Sequence, residues 1–502
     1  MTIYNINFGI GWASSGVEYA QMYRAHVLRQ LNIPLKFVFL EFMSSENIQT
    51  LTSNIGFKDH EVIWLYQYFT DIKIAPTTYT IDDIKASIHE RITSEKKEGK
   101  VRWLHLEEPG SFITCYLKNE NEPYVDCAEF VVNHQLIRKD YYSYTRTFSE
   151  FYAVEDEAAK LYMRHYYNED GSVAYTEYID GNTNVYALKD AILYTKEAFV
   201  AYFIQNLNLT SEDMLIFDRA TNVGQAMLQN KGDSKVGVIV HAEHFSENET
   251  DEDYILWNNY YEYEFSQAAE IDFYVTATDR QNDILTRQFK KYMNVAPAIY
   301  TIPVGNLAQL NYPENPRKPY SMITASRLAS EKHIDWLVRA AALAKKEVPA
   351  LTFDIYGEGE ERESIEKWIE TLDAQSYIRL CGHQKLDEIY KRYPLFVAAS
   401  TSEGFGLTLL EAVGSGLGMI GFDVNYGNPT FIKHGENGYL IPISDKDEKS
   451  GEWIERLAQA MIRFFNEGPE LPHEASYTIA TPYLVEHTRQ KWKALIEEVL
   501  HG

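Results

Sequence analysis

Residues 395–411, LFVAASTSEGFGLTLLE, place a carboxylate and two glycines between an apolar run and a helix-forming run. The apolar run Leu395–Ser400 predicts a buried strand, and the residues from about Leu407 predict the helix that follows it. Gly404 and Gly406 remove side chains where backbone N–H groups approach a ligand, and a helix N-terminus favours an anion. This order of elements predicts an α/β sheet with a ligand site beyond the carboxyl end of the strand.

Two acidic residues bracket this turn. Glu403 precedes the glycines, and Glu411 lies about one turn into the helix, where its carboxylate can accept hydrogen bonds from sugar or ribose hydroxyls. The alternative is that both carboxylates only favour the dipole of their own helix. Spacing alone leaves both interpretations open.

The same alternation of apolar strands and helices extends on both sides of this stretch. We expect further strands at Ile3–Phe8, Leu35–Phe42, Met214–Phe217, Val236–His241, Phe273–Thr276, Ser321–Ser326, Leu351–Tyr356 and Ile378–Cys381. Nearly continuous apolar runs are typical of parallel sheets covered on both faces, so we predict an α/β fold with two doubly wound, Rossmann-like domains and a ligand cleft between them. The predicted bounds are residues 1–70 and 190–312 for the first domain, 313–480 for the second, and 481–502 for a C-terminal helix that packs back on the first.

Residues 70–190 interrupt the first domain and differ from it in character. The turn-forming runs KNENEP, NEDGS and DGNTN separate its segments, which is typical of hairpins, so we predict an inserted antiparallel β-meander. Residues 101–190 contain 17 aromatic residues, a larger share than the 14% of the whole chain. The tyrosine-rich run from Tyr141 to Tyr186 therefore either docks a partner protein or only packs the insert on the first domain.

The chain is strongly acidic. Its 47 Lys and Arg against 73 Asp and Glu give a formal net charge of −26, which disfavours nucleic acid as a partner. The start MTIYNINFGIGW does not resemble a signal peptide, and three cysteines fit a reducing compartment, so we expect a cytoplasmic protein. Cys115 and Cys127 are nearly symmetric about a predicted turn and could face each other across a hairpin.

In so acidic a protein an anionic ligand must be held by a few local cations and backbone N–H groups. Two such cations follow the predicted strand Ser321–Ser326. The forked guanidinium of Arg327 can hold two phosphate oxygens, and Lys332 adds a point charge, so the pair predicts a diphosphate site. The alternative is an ordinary ion pair with Glu331 at the start of a helix.

Other strand-end residues qualify as walls of the same site. The first strand-to-helix turn, Gly9–Gly16, is rich in glycine, but its spacing is not that of a dinucleotide fingerprint. His241 ends a strand of the first domain, with His244 close behind, and His383 and Gln384 follow a strand of the second. No Asp-x-Asp directly follows any of these predicted strands, and the sequence contains no Cys or His pairs at zinc spacing, so we expect chemistry that needs no metal.

The glycine turn, Arg327 with Lys332, and the block from Glu403 to Glu411 together resemble the large family of retaining glycosyltransferases with the GT-B fold. The resemblance implies that Arg327 and Lys332 take the donor diphosphate. It also implies that Glu411 holds the ribose and that Glu403 contacts the sugar. The catalytic residues implied are Arg327, Lys332 and Glu403, and the donor-binding residues are Gly16, Val17, Glu18, Tyr19, His241, His383, Gln384, Glu403, Gly404, Phe405, Gly406 and Glu411.

The opening run NINFGIGWASSGVEYAQMYRA and the aromatic insert look more narrowly like the catalytic subunits of bacterial O-GlcNAc transferases that modify serine-rich repeat adhesins. This implies a UDP-GlcNAc donor, Ser or Thr acceptors on the adhesin, no metal cofactor, and a GtfB-like non-catalytic partner subunit; peripheral contact with the inner face of the membrane is compatible with it. The core motifs do not separate a UDP-glucose or cell-wall polymer transferase from this interpretation. A non-catalytic GT-B binding subunit is the other alternative, although the complete residue set favours catalysis.

Overall fold

The structure is a computed structural model that describes residues 1–11, 16–155, 158–443 and 451–501. The chain forms two compact units, one comprising Met1–Ala25, Asn32–Gly237 and Tyr263–Glu270, and the other His26–Leu31, Val238–Glu262 and Ile271–Gly502. The described strands form three sheets. None of the described helices is long and apolar enough to cross a membrane.

The described helices share no single type of start, but three of them begin after a threonine N-cap. Thr80, Thr195 and Thr278 each accept a hydrogen bond from the backbone N–H three residues on, which satisfies a donor that the helix leaves unpaired. In chain order the helices are α1 Gly16–Gln30, α2 Ile48–Ile55, α3 Leu65–Tyr68, α4 Ile81–Ser87, α5 Lys196–Asn206, α6 Gly224–Asn230, α7 Glu262–Ser266, α8 Asp279–Gln288, α9 Ile334–Glu347, α10 Arg362–Thr371, α11 Asp387–Tyr390, α12 Leu407–Gly414, α13 Gly427–Phe431, α14 Glu452–Glu467, α15 Pro472–Ala480 and α16 Val485–His501.

Seven of the described strands form the first sheet. They are β1 Ile3–Asn7, β2 Leu35–Phe39, β3 Val62–Trp64, β14 Met214–Phe217, β15 Lys235–Val240, β16 Phe273–Thr276 and β17 Ile299–Thr301, in the order β17-β16-β15-β14-β1-β2-β3. β1 pairs in parallel with β2 and β14, and β16 pairs in parallel with β17. All side chains of β14 and β16 are buried, as expected for strands covered on both faces, so the first predicted doubly wound sheet is confirmed.

Six described strands form the second parallel sheet. They are β18 Ser321–Ala325, β19 Thr352–Tyr356, β20 Ile378–Gly382, β21 Leu395–Val397, β22 Gly418–Phe422 and β23 Gly438–Ile441, in the order β20-β19-β18-β21-β22-β23. α9 and α14 bury Leu337 and Leu457 against this sheet in one apolar core. The chain leaves β18 toward one edge and returns through β21 toward the other, so a topological switch point lies between β18 and β21.

The C-terminal helix α16 contacts the end of α1 and the last strand of the first sheet. The Arg489 guanidinium donates to Gln30 Oε1 at 3.2 Å, and Lys491 Nζ donates to the Thr301 carbonyl at 3.0 Å. Trp492, Leu495 and Ile496 give α16 a buried apolar face. Both polar and apolar contacts therefore hold this helix in place.

The predicted antiparallel meander is confirmed. Ten described strands form one sheet in which each strand lies beside its chain neighbours. They are β4 Ile92–Glu98, β5 Val101–Leu106, β6 Phe112–Leu117, β7 Val125–Val132, β8 Gln135–Tyr142, β9 Arg146–Glu155, β10 Ala158–Tyr167, β11 Val173–Asp180, β12 Thr183–Ala187 and β13 Ile192–Leu193. Between β6 and β7, β10 and β11, and β11 and β12 the chain turns at the polar runs that the sequence analysis identified.

The expectation that Cys115 and Cys127 face each other is wrong. Near the turn Leu117 pairs with Val125, and that register would bring the two cysteines opposite each other. A β-bulge at Asp126 shifts the register by one residue, so Tyr116 pairs with Cys127 and Cys115 pairs with Ala128. The two thiols therefore point to opposite faces of the sheet, and both are free.

A row of large side chains crosses the insert on one face. The cross-strand pairs join Tyr116, Cys127, Tyr141, Phe148, Tyr166 and Tyr175 across β6 to β11. Tyr166 and Tyr175 stack at 4.3 Å and lie against Tyr66 and Phe199, which belong to α3 and α5. Much of the aromatic excess therefore packs the insert on its neighbouring helices, as the second interpretation of the tyrosine-rich run expects.

Beside this row the same face carries charges of alternating sign. The cross-strand pairs join Glu129, Lys139, Glu150, Arg164 and Glu177. The Arg164 guanidinium lies 2.9 Å from Glu150 and 3.2 Å from Glu177, and its carbon lies 3.8 Å from the centre of the Phe42 ring. Because Glu150 and Glu177 are almost fully buried, this arginine compensates two carboxylates that have left water.

Replacing this arginine should therefore destabilise the insert strongly. We expect Arg164→Met to lower the free energy of unfolding by about 3 kcal/mol, because two buried carboxylates lose their cation. The matched control is Lys160→Met, which removes an exposed ion pair with Glu155 and should cost less than about 1 kcal/mol. Urea unfolding of both variants measures the difference. Equal small losses would show that Arg164 does not hold the insert together.

Candidate functional site

The turn after β18 holds the two predicted cations, but the structure gives them different partners. The Arg327 side chain is 75% exposed and donates to Glu331 Oε1 at 3.2 Å, which is the ordinary ion pair considered as the alternative. Lys332 ends a short 3-10 helix, Ser330–Lys332, and its side chain is only 17% exposed. The Lys332 ammonium donates to Glu403 Oε2 at 2.8 Å.

Lys332 and Glu403 meet because they follow the two strands that flank the switch point. Lys332 follows β18, and Glu403 follows β21. The Glu403 backbone is fixed by the loop after β22: its N–H donates to the Asn425 carbonyl at 3.1 Å, and its carbonyl accepts from the Gly427 N–H at 2.8 Å. The fold therefore places a paired cation and carboxylate where doubly wound sheets bind ligands.

The glycines around Glu403 are required by close backbone packing. A Cβ on Gly404 would lie 2.6 Å from the His241 carbonyl oxygen, and a Cβ on Gly427 would lie 2.1 Å from the Phe405 carbonyl oxygen. Gly406 has a φ of +85°, in the left-handed region that favours glycine. Contacts within the protein therefore already account for these glycines.

Of the predicted donor-binding residues, Phe405 precedes the start of α12 and Glu411 lies within this helix. The Phe405 ring is buried and packs against Phe431 and Tyr483, so only its backbone faces the loop. Glu411, on α12, accepts a hydrogen bond from the Tyr390 hydroxyl at 3.2 Å. Burial raises the pKa of the Glu411 carboxyl to about 7, against a lowering by the Tyr390 hydrogen bond and a further rise from Asp387.

The two histidines that follow β15 have separate roles. The backbone N–H groups of His241 and Ala242 both donate to the Tyr261 hydroxyl at 2.9 Å, which fixes the strand end. His244 is fully buried, with Nε2 at 2.7 Å from Gln288 and Nδ1 at 2.9 Å from the Tyr426 hydroxyl. Burial lowers the pKa of His244 to about 4, so this ring stays neutral and holds the loop rather than a ligand.

The sequence analysis missed two groups of the second unit close to Glu403. The Ser402 hydroxyl donates to Glu243 Oε2 at 3.2 Å, and burial raises the pKa of Glu243. Arg280 donates to Asn425 at 2.8 Å and to Asp423 at 3.1 Å. Glu243 lies between the two noted histidines, which is the only signal that could have found it; Arg280 follows no motif.

The other predicted wall residues lie on exposed turns. His383 and Gln384 follow β20 and are exposed, and the Gln384 amide donates to the Cys381 carbonyl at 2.9 Å. The neighbouring turn after β19 contains Gly357, whose φ is +130°, and a Cβ there would lie 1.8 Å from the Ser326 carbonyl oxygen. The ends of β18, β19 and β20 are therefore held together by backbone contacts.

The first strand-to-helix turn is described only in part, because residues 12–15 lie outside the described residues. At the start of α1, Gly16 and Tyr19 are exposed and the Val17 side chain is buried. Glu18 is buried and accepts from the Asn7 side-chain amide at 3.1 Å. Within the part of the chain that the structure covers, no group of three or more His, Cys, Asp or Glu side chains is arranged to hold a metal ion.

Known proteins resemble the chain over its whole length. The model of the GtfA extended beta-sheet domain matches residues 94–190, and that of glycosyl transferases group 1 matches residues 310–475. The chain is 52% identical over 99% of both lengths to a UDP-N-acetylglucosamine–peptide N-acetylglucosaminyltransferase GtfA subunit of Streptococcus gordonii. It resembles the crystal structure of the pneumococcal O-GlcNAc transferase GtfA in complex with UDP and GlcNAc, with 51% identity, a TM-score of 0.93 and coverage of 100% and 99% of the chains. The GtfA/B complex structure gives a TM-score of 0.96 at 51% identity, with both chains fully covered.

The raised pKa of Glu411 predicts a pH-dependent stability. Between pH 4.5, its ordinary pKa, and about 7 the folded protein keeps a proton that the unfolded chain has lost, so stability falls as the pH rises through this window. We expect Glu411→Gln to be more stable than the parent protein above this window, by up to about 3 kcal/mol, and equal to it below.

Urea unfolding at pH values on either side of this window measures the Glu411 effect. The matched control is Glu363→Gln, an exposed position at the start of α10, which should change stability little at either pH. A Glu411→Gln difference that does not change with pH would mean that the carboxyl titrates in its ordinary range.

Proposed function

The chain belongs to the family of GtfA subunits of UDP-N-acetylglucosamine–peptide N-acetylglucosaminyltransferases, and we propose that it transfers GlcNAc from UDP-GlcNAc to Ser or Thr hydroxyls of a serine-rich adhesin. The observation that carries this proposal is the contact of Lys332 with Glu403 at the switch point, with Glu411 on the helix that follows. A nucleotide sugar can use all three groups: the cation for its diphosphate, the fixed carboxylate for its sugar, and the second carboxylate as a hydrogen-bond acceptor for its ribose hydroxyls.

Two cations are available for the donor diphosphate. Lys332 already lies inside the site, while Arg327 is held only by an exposed pair with Glu331, and such a pair contributes about 0.3–0.5 kcal/mol. A diphosphate can therefore take Arg327 from Glu331 at little cost. In a chain whose formal net charge is −26, these local cations decide where an anion binds.

Glu411 is suited to bind the ribose. One of its oxygens accepts from the Tyr390 hydroxyl, and the other oxygen remains for a ribose hydroxyl. A carboxyl whose pKa is about 7 holds part of its charge at neutral pH, and hydroxyl donors stabilise the charged form. Ribose binding would therefore repay part of the cost of burying this carboxylate.

We infer retention at the anomeric carbon by front-face substitution. The bond from the anomeric carbon to the diphosphate oxygen breaks, the bond to the serine oxygen forms on the same face, and the serine proton passes to the departing phosphate oxygen. Lys332, Arg327 and backbone N–H groups stabilise the leaving diphosphate.

We further propose that transfer needs no divalent metal. Activity should therefore persist after dialysis against EDTA. Loss of activity that Mg²⁺ restores would contradict this.

Removal of the buried cation should affect turnover most. We expect Lys332→Ala to lower kcat about a hundredfold, the scale of losing one preorganised charge stabiliser. Lys346→Ala, an exposed lysine near the end of α9, serves as the matched control and should leave turnover unchanged. Initial rates with UDP-GlcNAc and a serine-rich peptide measure both. Unchanged turnover in Lys332→Ala would remove the diphosphate assignment.

His241 is proposed to contact the donor sugar and not to act as the base for the acceptor. Since the serine proton passes to the departing phosphate oxygen, no further proton acceptor is needed. His241→Ala should then reduce kcat/KM by about tenfold, the scale of one or two lost hydrogen bonds, and by the same factor at every pH where the protein is folded. Loss of a single limb of the pH–rate profile would instead identify His241 as an acid or base.

The remaining face of the insert is proposed to dock a GtfB-like subunit. The cross-strand row Phe130, Arg138, Phe151, Met163 and Tyr178 lies on the face opposite to Tyr166 and Tyr175. Its Phe130 end packs against the apolar cluster around Ile84, while Tyr178 at the other end is 50% exposed. Tyrosine is enriched at interface hot spots. Deletion of the whole insert is an unsuitable test, because it would expose the rings of Tyr66 and Phe199 that the insert covers.

A point substitution tests this docking face more cleanly. We expect Tyr178→Ser to weaken binding of the partner subunit about tenfold, because an exposed interface tyrosine contributes 1 kcal/mol or more. Tyr254→Ser removes a comparably exposed ring from the second unit and should leave the affinity unchanged. Titration calorimetry with the purified partner measures both. Equal affinities for the two variants would leave the aromatic residues of the insert with a packing role alone.

We also propose that the protein acts in the cytoplasm. All three cysteines are free, and Cys115 is buried without a disulfide, as suits a reducing compartment. Cell fractionation tests this, since recovery outside the cytoplasm would contradict it.

A further inference from the structure

A cavity of about 290 Å³ lies within the first unit, where the insert meets the segment that leads into α2. Tyr116, Cys127, Tyr141 and Phe148, four members of the cross-strand row, line it, as does Trp64 of β3. The row thus changes along its length. Its Tyr166 end is buried against the helices, while Tyr116 is 38% exposed at the other end.

The lining of this cavity is rich in acceptors. It includes the carboxylates of Glu46 and Asp126, and among the described residues that line it none is Lys, Arg or His. The faces of the aromatic rings carry negative partial charge as well. A bound group must therefore supply positive charge or hydrogen-bond donors.

The polar groups of the cavity are incompletely satisfied. Neither Glu46 nor Asp126 forms an ion pair with a residue that the structure describes. Among the described side chains, the Thr77 hydroxyl donates to Asp126 at 2.6 Å. The charges of Lys100 and Lys118 lower the pKa of both carboxyls from a distance. Ser143 is 4% exposed, and its hydroxyl has no hydrogen-bond partner. A buried hydroxyl without a partner costs about 1–3 kcal/mol, so a bound group or a water that reaches Ser143 would recover part of this free energy.

Burial acts on both carboxyls, and charge repulsion acts on Glu46. Burial raises the pKa of both Glu46 and Asp126, and the charge of Asp126 raises that of Glu46 further. Asp126 is the residue of β7 that the bulge leaves without a cross-strand partner. Bulges commonly re-aim a side chain beside a functional site.

Elsewhere on the same face of the insert, a cation of the chain lies between two carboxylates and an aromatic ring. Arg164 places its guanidinium between the carboxylates of Glu150 and Glu177 and over the Phe42 ring. The cavity offers the same combination of two carboxylates and aromatic faces, but none of the described residues that line it carries a positive charge. The amides of Asn47 and Gln67 already donate to protein oxygens, so the described wall offers a sugar hydroxyl donors such as that of Ser143 but no free side-chain amide.

We propose that this cavity binds a primary ammonium or guanidinium group at the end of an aliphatic chain, held by Glu46 and Asp126 and flanked by the rings of Tyr141 and Tyr116. A lysine or arginine side chain of another polypeptide carries this chemistry, and so does a free polyamine. The site is independent of the donor site and of the proposed transfer reaction.

Binding of small probes to the full chain tests the charge requirement. The cationic probes are Nα-acetyl-lysinamide, Nα-acetyl-argininamide and spermidine, and the matched neutral probes are Nα,Nε-diacetyl-lysinamide and Nα-acetyl-citrullinamide. We expect the cations to raise the Tm and the neutral probes not to. Glu46→Gln with Asp126→Asn keeps both shapes and should weaken cation binding about tenfold or more. The tighter of the amino-acid and polyamine probes identifies the source of the cation.

A tethered cation provides a second measurement that does not depend on a weak probe. Ser45 is exposed at the rim of the cavity, so Ser45→Lys can place an ammonium inside it, while Ser45→Met supplies similar length without charge. We expect Ser45→Lys to have the higher Tm of the two and to bind the cationic probes about tenfold more weakly than the parent. Equal Tm values for the two variants, or equal binding of neutral and cationic probes, would overturn the proposal.

Discussion

The contact between the Lys332 ammonium and the Glu403 carboxylate depends on a constraint of the fold, the reversal of strand order between β18 and β21. The connection that leaves one of these neighbouring parallel strands leads to one edge of the sheet, and the connection that leaves the other leads to the opposite edge. A crevice therefore opens beyond the carboxyl ends of the two strands. Lys332 follows one of these strands and Glu403 the other, so residues 71 positions apart form a 2.8 Å ion pair. The backbone contacts of Gly404 and Gly427 then hold the Glu403 loop against its neighbours.

Ion pairs also stabilise the insert, where they compensate carboxylates buried on one face of the antiparallel sheet. Its inner face alternates Glu129, Lys139, Glu150, Arg164 and Glu177, so that each buried carboxylate meets a cation on a neighbouring strand. The parallel row of rings attaches the sheet to α3 and α5, while Tyr178 on the opposite face stays exposed. Where the inner row extends beyond those helices, a cavity remains whose carboxylates form no ion pair with any residue that the structure describes.

Strong local patterns were predictable from the sequence. The strands Met214–Phe217 and Phe273–Thr276 and the helix start at Leu407 lie where the apolar runs predicted them. The cysteine register was not predictable, because one bulged residue shifts every pair beyond it and leaves no mark in the sequence. The ion-pair partners of the cations were equally unpredictable. Arg327 and Lys332 both follow the strand β18, but Arg327 pairs with Glu331 and Lys332 pairs with Glu403. Glu243 and Arg280 reach the neighbourhood of Glu403 only through tertiary structure.

The most direct test of the central claim is the mass of an acceptor after reaction. A serine-rich peptide would be incubated with this chain, a GtfB-like subunit, and equal concentrations of UDP-GlcNAc and UDP-glucose, and then analysed by intact mass spectrometry. Addition of N-acetylhexosamine units to serine or threonine, absent with Lys332→Ala, is the predicted result. Addition of hexose units, or an unmodified peptide with the parent protein, would contradict the proposed transfer of GlcNAc.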